Sequence, residues 1–466
     1  MTNGLRLMTA LLLTLAALSA VHAQGVAPSA TVFENVTVIP MDRDRTLPRQ
    51  SVMVEGRRIT AMGPAGRIEI PDDARRLDGS GKFLMPGLAE MHGHLPGGQA
   101  LERFGQEYLD RILFLFVANG VTTVRAMLGS EPDLLTKAQI AQGDRIGPQL
   151  FIAGPSFNGR SVPTAEAAWR MVTEQRAAGF DLLKIHPGIK RAVYDELVAT
   201  AQREGIPFAG HIPSDVGLRR AMMLGQATVE HLDGYLETIV SDTASIETDN
   251  PFFFGFQLVD DVDESKISAI AAATRAAGVW NTPTQTLFDN MFAHETPEQR
   301  GQRPEMGYMP KELVAGWVEA TRQREKELPG YSVERADRFL EIRRKLVLAL
   351  QKAGAGILLG ADTPQVYNVP GFATLQELAS LVGAGLTPYE ALVAGTRNPA
   401  GYLDLGHSFG TVMVGGRADL ILLNANPLEN IENVYKRAGV MVAGRWLSAE
   451  EINKGLGKLA GGQTSD

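Results

Sequence analysis

The stretch LLKIHPGIKRAVYDELVATAQREGIPFAGHIPSDVGLRRAMMLGQATVEH, residues 182–231, decides the fold. It holds three short apolar runs, Leu182-Leu183-Lys184-Ile185, Pro207-Phe208-Ala209-Gly210 and Thr228-Val229-Glu230-His231. Each run has strand length, and helical periodicity over 193–204 separates the first two. Strands joined through helices belong to parallel sheets, because parallel neighbours need a long crossover connection. Lys184, His211 and His231 stand at or just beyond the ends of these runs.

The same texture extends in both directions. Further candidate strands are Phe83-Leu84-Met85, Thr122-Thr123-Val124-Arg125, Gln149-Leu150-Phe151-Ile152-Ala153, Gly278-Val279-Trp280-Asn281 and Gly356-Ile357-Leu358-Leu359-Gly360. Helical patterns lie between them, clearest over 163–178, 263–277 and 336–353. Eight such strands favour a closed (β/α)₈ TIM-like barrel over an open sheet, spanning 86–400. Within it, 283–337 is rich in Pro, Glu and Arg and is too long for an ordinary barrel loop, so a lid insertion is expected there. Residues 31–85 and 401–447 instead alternate β-rich runs with turns, among them Ser51-Val52-Met53-Val54, Gly410-Thr411-Val412-Met413-Val414 and Ala418-Asp419-Leu420-Ile421-Leu422-Leu423. The two ends together predict one small β-sandwich domain assembled from both termini.

Composition narrows the chemistry. The 466 residues are 44% hydrophobic, enough for a large core, and 45 Lys plus Arg against 53 Asp plus Glu give a net charge of −8. That balance offers no general attraction to nucleic acid or anionic lipid. Cysteine is absent, which excludes disulfides, thiolate nucleophiles and zinc ribbons. A metal would therefore fall to His, carboxylates or a modified side chain. Residues 1–23 read as an export signal, with Arg6, the apolar run 11–18 and Val21-His22-Ala23 before Gln24. A periplasmic or secreted protein is expected, with no integral membrane association once the signal is cleaved.

Chemistry-bearing residues collect at the strand ends. His92 and His94 lie two apart, so in extended backbone both imidazoles face one side. Lys184, His211, His231 and Asp362 each end a separate candidate strand, where such a barrel builds its site. Taken singly, each has an ordinary structural reading: a satisfied core histidine, a solvated amine or a helix cap. Their coincidence on one barrel end carries the functional reading. Arg125, His186, Tyr235 and Asn281 are candidate substrate contacts, and each could equally satisfy nearby backbone.

Pro86-Gly87-Leu88-Ala89-Glu90-Met91-His92-Gly93-His94, Gly210-His211, Val229-Glu230-His231, Gly360-Ala361-Asp362 and Gly415-Gly416-Arg417-Ala418-Asp419-Leu420 resemble the metal-dependent amidohydrolase superfamily, nearest its Xaa-Pro dipeptidase and imidazolonepropionase-like branch. The resemblance covers nearly all of the chain after the signal. It implies two divalent ions, with zinc the default for these ligands. His92, His94 and Asp362 would hold one ion, His211 and His231 the other, and N-carboxylated Lys184 both. A free ammonium has no lone pair for a metal, whereas its carbamate has two anionic oxygens. The implied reaction is hydrolysis of an amide or peptide C–N bond by activated water, with Asp362 as the catalytic proton shuttle. A dipeptide or N-acyl amino acid is the expected small-molecule substrate; a cyclic-amide or lactone hydrolase and a non-catalytic exported binding protein are the alternatives. Homo-oligomerisation is compatible with the resemblance. The strand end Ile185-His186-Pro187-Gly188 departs from the common pattern, so single-ion and bridged-pair readings both stand.

Overall fold

The computed structural model describes residues 29–241 and 254–461; the expected signal over 1–23 lies outside them. The barrel strands are, in order, Leu88–Gly93, Val121–Ala126, Gln149–Ile152, Leu183–Ile185, Phe208–Gly210, Thr228–Glu230, Trp280–Thr282 and Gly356–Ile357. The first three pair in parallel as one sheet and the other five as a second. Bridges between Ala153 and Leu182 and between Gly93 and Thr363 join the two into a ring. At the second junction the Met91 N–H donates to the Leu359 carbonyl at 2.8 Å and the His94 N–H to the Thr363 carbonyl at 2.7 Å. The chain is thus an α/β barrel with an accessory β-domain from both termini.

Helices follow the strands as periodicity requires. Arg191–Glu204 buries Val193, Tyr194, Leu197, Val198 and Ala201 on one face and stops at Gly205, whose φ of 64° lies in the left-handed region. Ala165–Ala178, Ile267–Ala277 and Val333–Ala353 occupy the other expected helical segments. Between Pro283 and Asp337 lie the helices Gln285–Met291, Pro297–Gly301 and Lys311–Glu327. Among the described residues no helix is long and apolar enough to cross a membrane.

Two strand expectations need correction. Phe83-Leu84-Met85 is a strand, Phe83–Pro86, but it pairs with Thr31–Val38 and Leu420–Leu423 in the terminal sheet. The first barrel strand is Leu88–Gly93. An apolar run reports burial without naming the sheet that buries it. Gly410–Val414 is no strand; the Val412 N–H instead donates to the Pro40 carbonyl at 3.0 Å as the chain crosses the sheet.

The accessory domain is one eight-stranded hydrogen-bonded sheet. Its path runs Arg445–Ser448, Arg437–Val442, Leu420–Leu423, Phe83–Pro86, Thr31–Val38, Leu47–Glu55 and Arg58–Pro64, with Arg75–Asp78 beside Thr31–Val38. Phe33 and Trp446 sit four strands apart on that path, about 19 Å in a flat sheet. Their ring centroids are 5.3 Å apart, so the sheet curls over its own core. Val36, Val52, Ile59, Leu84, Leu420 and Met441 complete that core.

Candidate metal centre and active site

The C-terminal ends of the barrel strands carry the polar cluster. His92 belongs to the first strand, Lys184 to the fourth, and His94, His211, His231 and Asp362 follow the first, fifth, sixth and eighth. His92, His94 and Asp362 each present one ligand atom, all within 4.8 Å of one another. His94 Nε2 lies 2.7 Å from Asp362 Oδ1, and His92 Nε2 lies 3.6 Å from the same oxygen. Lys184 Nζ is 3.4 Å from His92 Nε2, and its side chain is only 1% exposed. The rings of His92 and His231 have centroids 4.6 Å apart, and those of His211 and His231 4.8 Å.

Each of three imidazoles is held through Nδ1. His92 Nδ1 meets Glu230 Oε2 at 2.6 Å, His211 Nδ1 meets Asp233 Oδ2 at 2.6 Å, and His231 Nδ1 meets Thr284 Oγ1 at 2.8 Å. An Nδ1–H directed at these oxygens leaves the Nε2 lone pair free, the arrangement of a metal-binding histidine with its supporting acceptor. Burial holds His92 and His231 well below the usual imidazole range and brings His211 to about 3, so the rings are neutral, the form that ligates. Burial also brings the Lys184 amine down to about 8. The donor set fits a divalent cation: two imidazoles and a carboxylate converge within 4.8 Å, with His211, His231 and the desolvated Lys184 beside them.

Backbone geometry aims these groups. His231 and Asp362 adopt left-handed backbone, with φ of 62° and 57°. Such conformations in non-glycine residues persist where surroundings over-determine them. The His231 N–H donates to the Thr282 carbonyl at 2.9 Å, and Arg343 Nη1 donates to the His231 carbonyl at 2.7 Å. Gly210, just before His211, has a φ of 135°, and a Cβ there would fall 2.3 Å from the Ile185 carbonyl oxygen. A Cβ on Gly360 would stand 2.8 Å from the His92 backbone nitrogen.

Sequence reasoning passed over Glu90, Glu230 and Asp233. Glu90 is fully buried; Oε1 accepts from the His92 N–H at 3.0 Å and the Ala361 N–H at 2.8 Å, and Oε2 accepts from Thr374 at 2.6 Å. It ties the first strand to the end of the eighth, beside two ligands. Burial pushes its carboxyl up to about 7. The available signal was spacing: Glu90 is two before His92 and Asp233 two after His231.

Three of the four expected substrate contacts do not reach the cavity. Arg125 is 0% exposed and donates to the Met91 carbonyl, Thr228, Tyr402, Glu230 and Thr282, which uses its whole guanidinium. It fills the barrel beneath the imidazoles and orients Glu230, which orients His92. The Tyr235 hydroxyl bonds Thr274 at 2.9 Å and donates to Asn281 Oδ1 at 2.7 Å, while Asn281 Nδ2 turns to the Val279 and Gly356 carbonyls. Both lock a strand to its covering helix. His186 does line the cavity, its ring stacked on His211 at 4.9 Å.

The cavity above this cluster holds about 520 Å³ and is lined by Leu95, Tyr108, Leu128, Phe254 and Leu313 as well as the polar groups. That volume suits a small molecule.

Comparison with known proteins agrees with this geometry. The model of the amidohydrolase family matches residues 83–447. Among solved structures the chain is similar to bottromycin amidohydrolase, with a TM-score of 0.71 and 23% identity over 94% of this chain and 92% of that one. It is also similar to a Xaa-Pro dipeptidase with methionine bound in its active site, with a TM-score of 0.64 and 18% identity over 90% of this chain and all (100%) of that one. At those identities the likeness speaks for the fold alone. An adenine deaminase from Chelativorans sp. (strain BNC1) is 24% identical over 208 residues, 41% of this chain and 33% of that protein, so the chain spans about a third of that relative's length. The match over most of the chain, with the ligand cluster at the barrel's C-terminal end, shows that the protein belongs to the amidohydrolase family.

Proposed function

We propose that the protein hydrolyses an amide or peptide C–N bond in a small substrate, using two divalent ions, zinc by ligand preference. The observation that carries this reading is the convergence of His92, His94 and Asp362 on one ligand-sized spot, with Lys184, His211 and His231 beside them. His92, His94 and Asp362 would hold one ion, His211 and His231 the second, and Lys184 as its carbamate both. Bound ions would supply Lewis acidity, acidifying water and polarising a carbonyl.

The chain's own groups do the rest. Dehydration favours the neutral Lys184 amine, whose nitrogen bonds to the carbon of CO₂ as one proton leaves for solvent. Asp362 accepts the proton of the attacking water and passes it to the departing nitrogen. Gln365 Nε2, donating to Asp362 Oδ1 at 2.7 Å, and His94 at the same oxygen fix its direction. Glu230, Asp233 and Thr284 keep the three imidazoles in one tautomer. Leu313, from the helix Lys311–Glu327, lines the cavity, which supports a covering role for the expected lid over 283–337. Residues 1–23 support export.

The test is elemental analysis of purified protein, with hydrolysis of a library of dipeptides, N-acyl amino acids and their C-terminal amides before and after chelation. About two ions per chain and chelation-sensitive turnover are expected. One ion in fully active enzyme would remove the bridging role of Lys184, and no turnover after metal and bicarbonate reconstitution would overturn the reading. N-terminal sequencing of protein from the cell envelope checks export, with Gln24 expected first.

A further inference from the structure

We propose, resting on the amide-hydrolysis reading, that the cavity selects substrates without a free carboxylate: apolar acyl amides whose charge, where they carry one, is an ammonium. The wall away from the imidazoles is built by Leu95, Tyr108, Leu128, Phe254 and Leu313. Among the described residues lining the cavity, Lys184 is the one Lys or Arg, and it lies within the ligand cluster. Residues 242–253 contain neither Lys nor Arg in sequence. Arg125, the arginine nearest in expectation, spends its donors beneath the floor.

The charged side chain on the recognition wall is a carboxylate, Asp133, 7% exposed. It caps the helix Glu131–Gln142, accepting from the Ser130 N–H at 2.8 Å and hydroxyl at 2.9 Å. Both bonds go to Oδ2, so Oδ1 is left for a ligand. A substrate carboxylate on this wall would lose part of its hydration without gaining a cationic partner, and would face another carboxylate. An amine or N–H at Asp133 Oδ1 would instead make a charge-assisted hydrogen bond. The wall therefore reads charge by sign.

The test uses metal-loaded enzyme and leucyl-phenylalanine in four forms, with the amino group free or acetylated and the carboxyl free or amidated. The C-terminal amides are expected to exceed the acids in kcat/KM by about tenfold or more. Phenylalaninamide is expected to compete more tightly than phenylalanine. Acids cleaved as well as amides would overturn the selection and leave amide hydrolysis standing; no cleavage of any form would overturn both. Leu128→Arg, at a position 43% exposed, adds a cation to the rim and is expected to shift the ratio toward the acids by about tenfold. An unmoved ratio would mean that this wall does not read charge. Asp133→Asn is expected to cancel the advantage of a free amino group over an acetylated one, and an advantage that survives would remove Asp133 from recognition.

Discussion

Asp362 sits where two proposed roles meet: it is within reach of His92 and His94, and it is the carboxylate proposed to move a proton. Asp362→Asn keeps the shape and removes the proposed base. Its kcat is expected to fall by about 10²–10⁴-fold, the usual worth of a positioned general base, as steady-state kinetics with metal content assayed in parallel will show. Glu90 acts at one remove. Glu90→Ala strands the His92 and Ala361 N–H groups without an acceptor, which costs about 1–3 kcal/mol in urea unfolding. Because those amides position two ligands, metal affinity is expected to drop by about 10–100-fold, measured by competition with a chromogenic chelator. Neutral stability together with unchanged affinity would leave Glu90 a bystander.

Short strands are the elements that place these side chains, and their ends are shaped by close backbone contacts. Phe208–Gly210 pairs with Leu183–Ile185 so closely that a methyl group at Gly210 meets the Ile185 carbonyl. Gly210→Ala is therefore expected to destabilise the protein by about 2–3 kcal/mol and to weaken metal binding at the adjoining proposed ligand His211. Thermal denaturation and metal titration check both effects; loss of stability without loss of affinity would show that the strand end relaxes away from the site. The strand assigned to the wrong sheet, Phe83–Pro86, shows the limit of periodicity at this scale. It looks like a barrel strand because both sheets bury it from water, and hydropathy does not encode a hydrogen-bonding partner.

At the scale of the molecule, the proposed metal site spans the junction between the two barrel sheets. His92, His94 and Asp362 come from the first and eighth strands, and the further proposed ligands from the fourth, fifth and sixth, so ions bound as proposed would cross-link both sheets of the ring. Chelation is expected to lower the melting temperature as well as activity, by about 3–4 kcal/mol of linked stability if ions are held well above their dissociation constants. Restoring metal should recover both in calorimetry and assay; a melting temperature indifferent to chelation would mean the ring is complete without ions. The curled terminal sheet is a separate unit of packing, with Trp446 against Phe33 within its core.

The barrel, the accessory β-domain and the candidate ligand positions were legible in the sequence, because short apolar runs spaced by helices, several of them ending in His, Lys or Asp, are local patterns. His92 and His94 share a face in any extended chain. Depth was not local. Arg125 and His186 look alike on paper, each polar and at a strand end, yet one lies beneath the imidazoles with every donor taken and the other lines the cavity. Only tertiary structure decided this, and only it brought Glu90 between the first and eighth strands. A buried charge is tolerated where its partners are, and those partners come from segments up to hundreds of residues away, such as Thr374 for Glu90 and Tyr402 for Arg125.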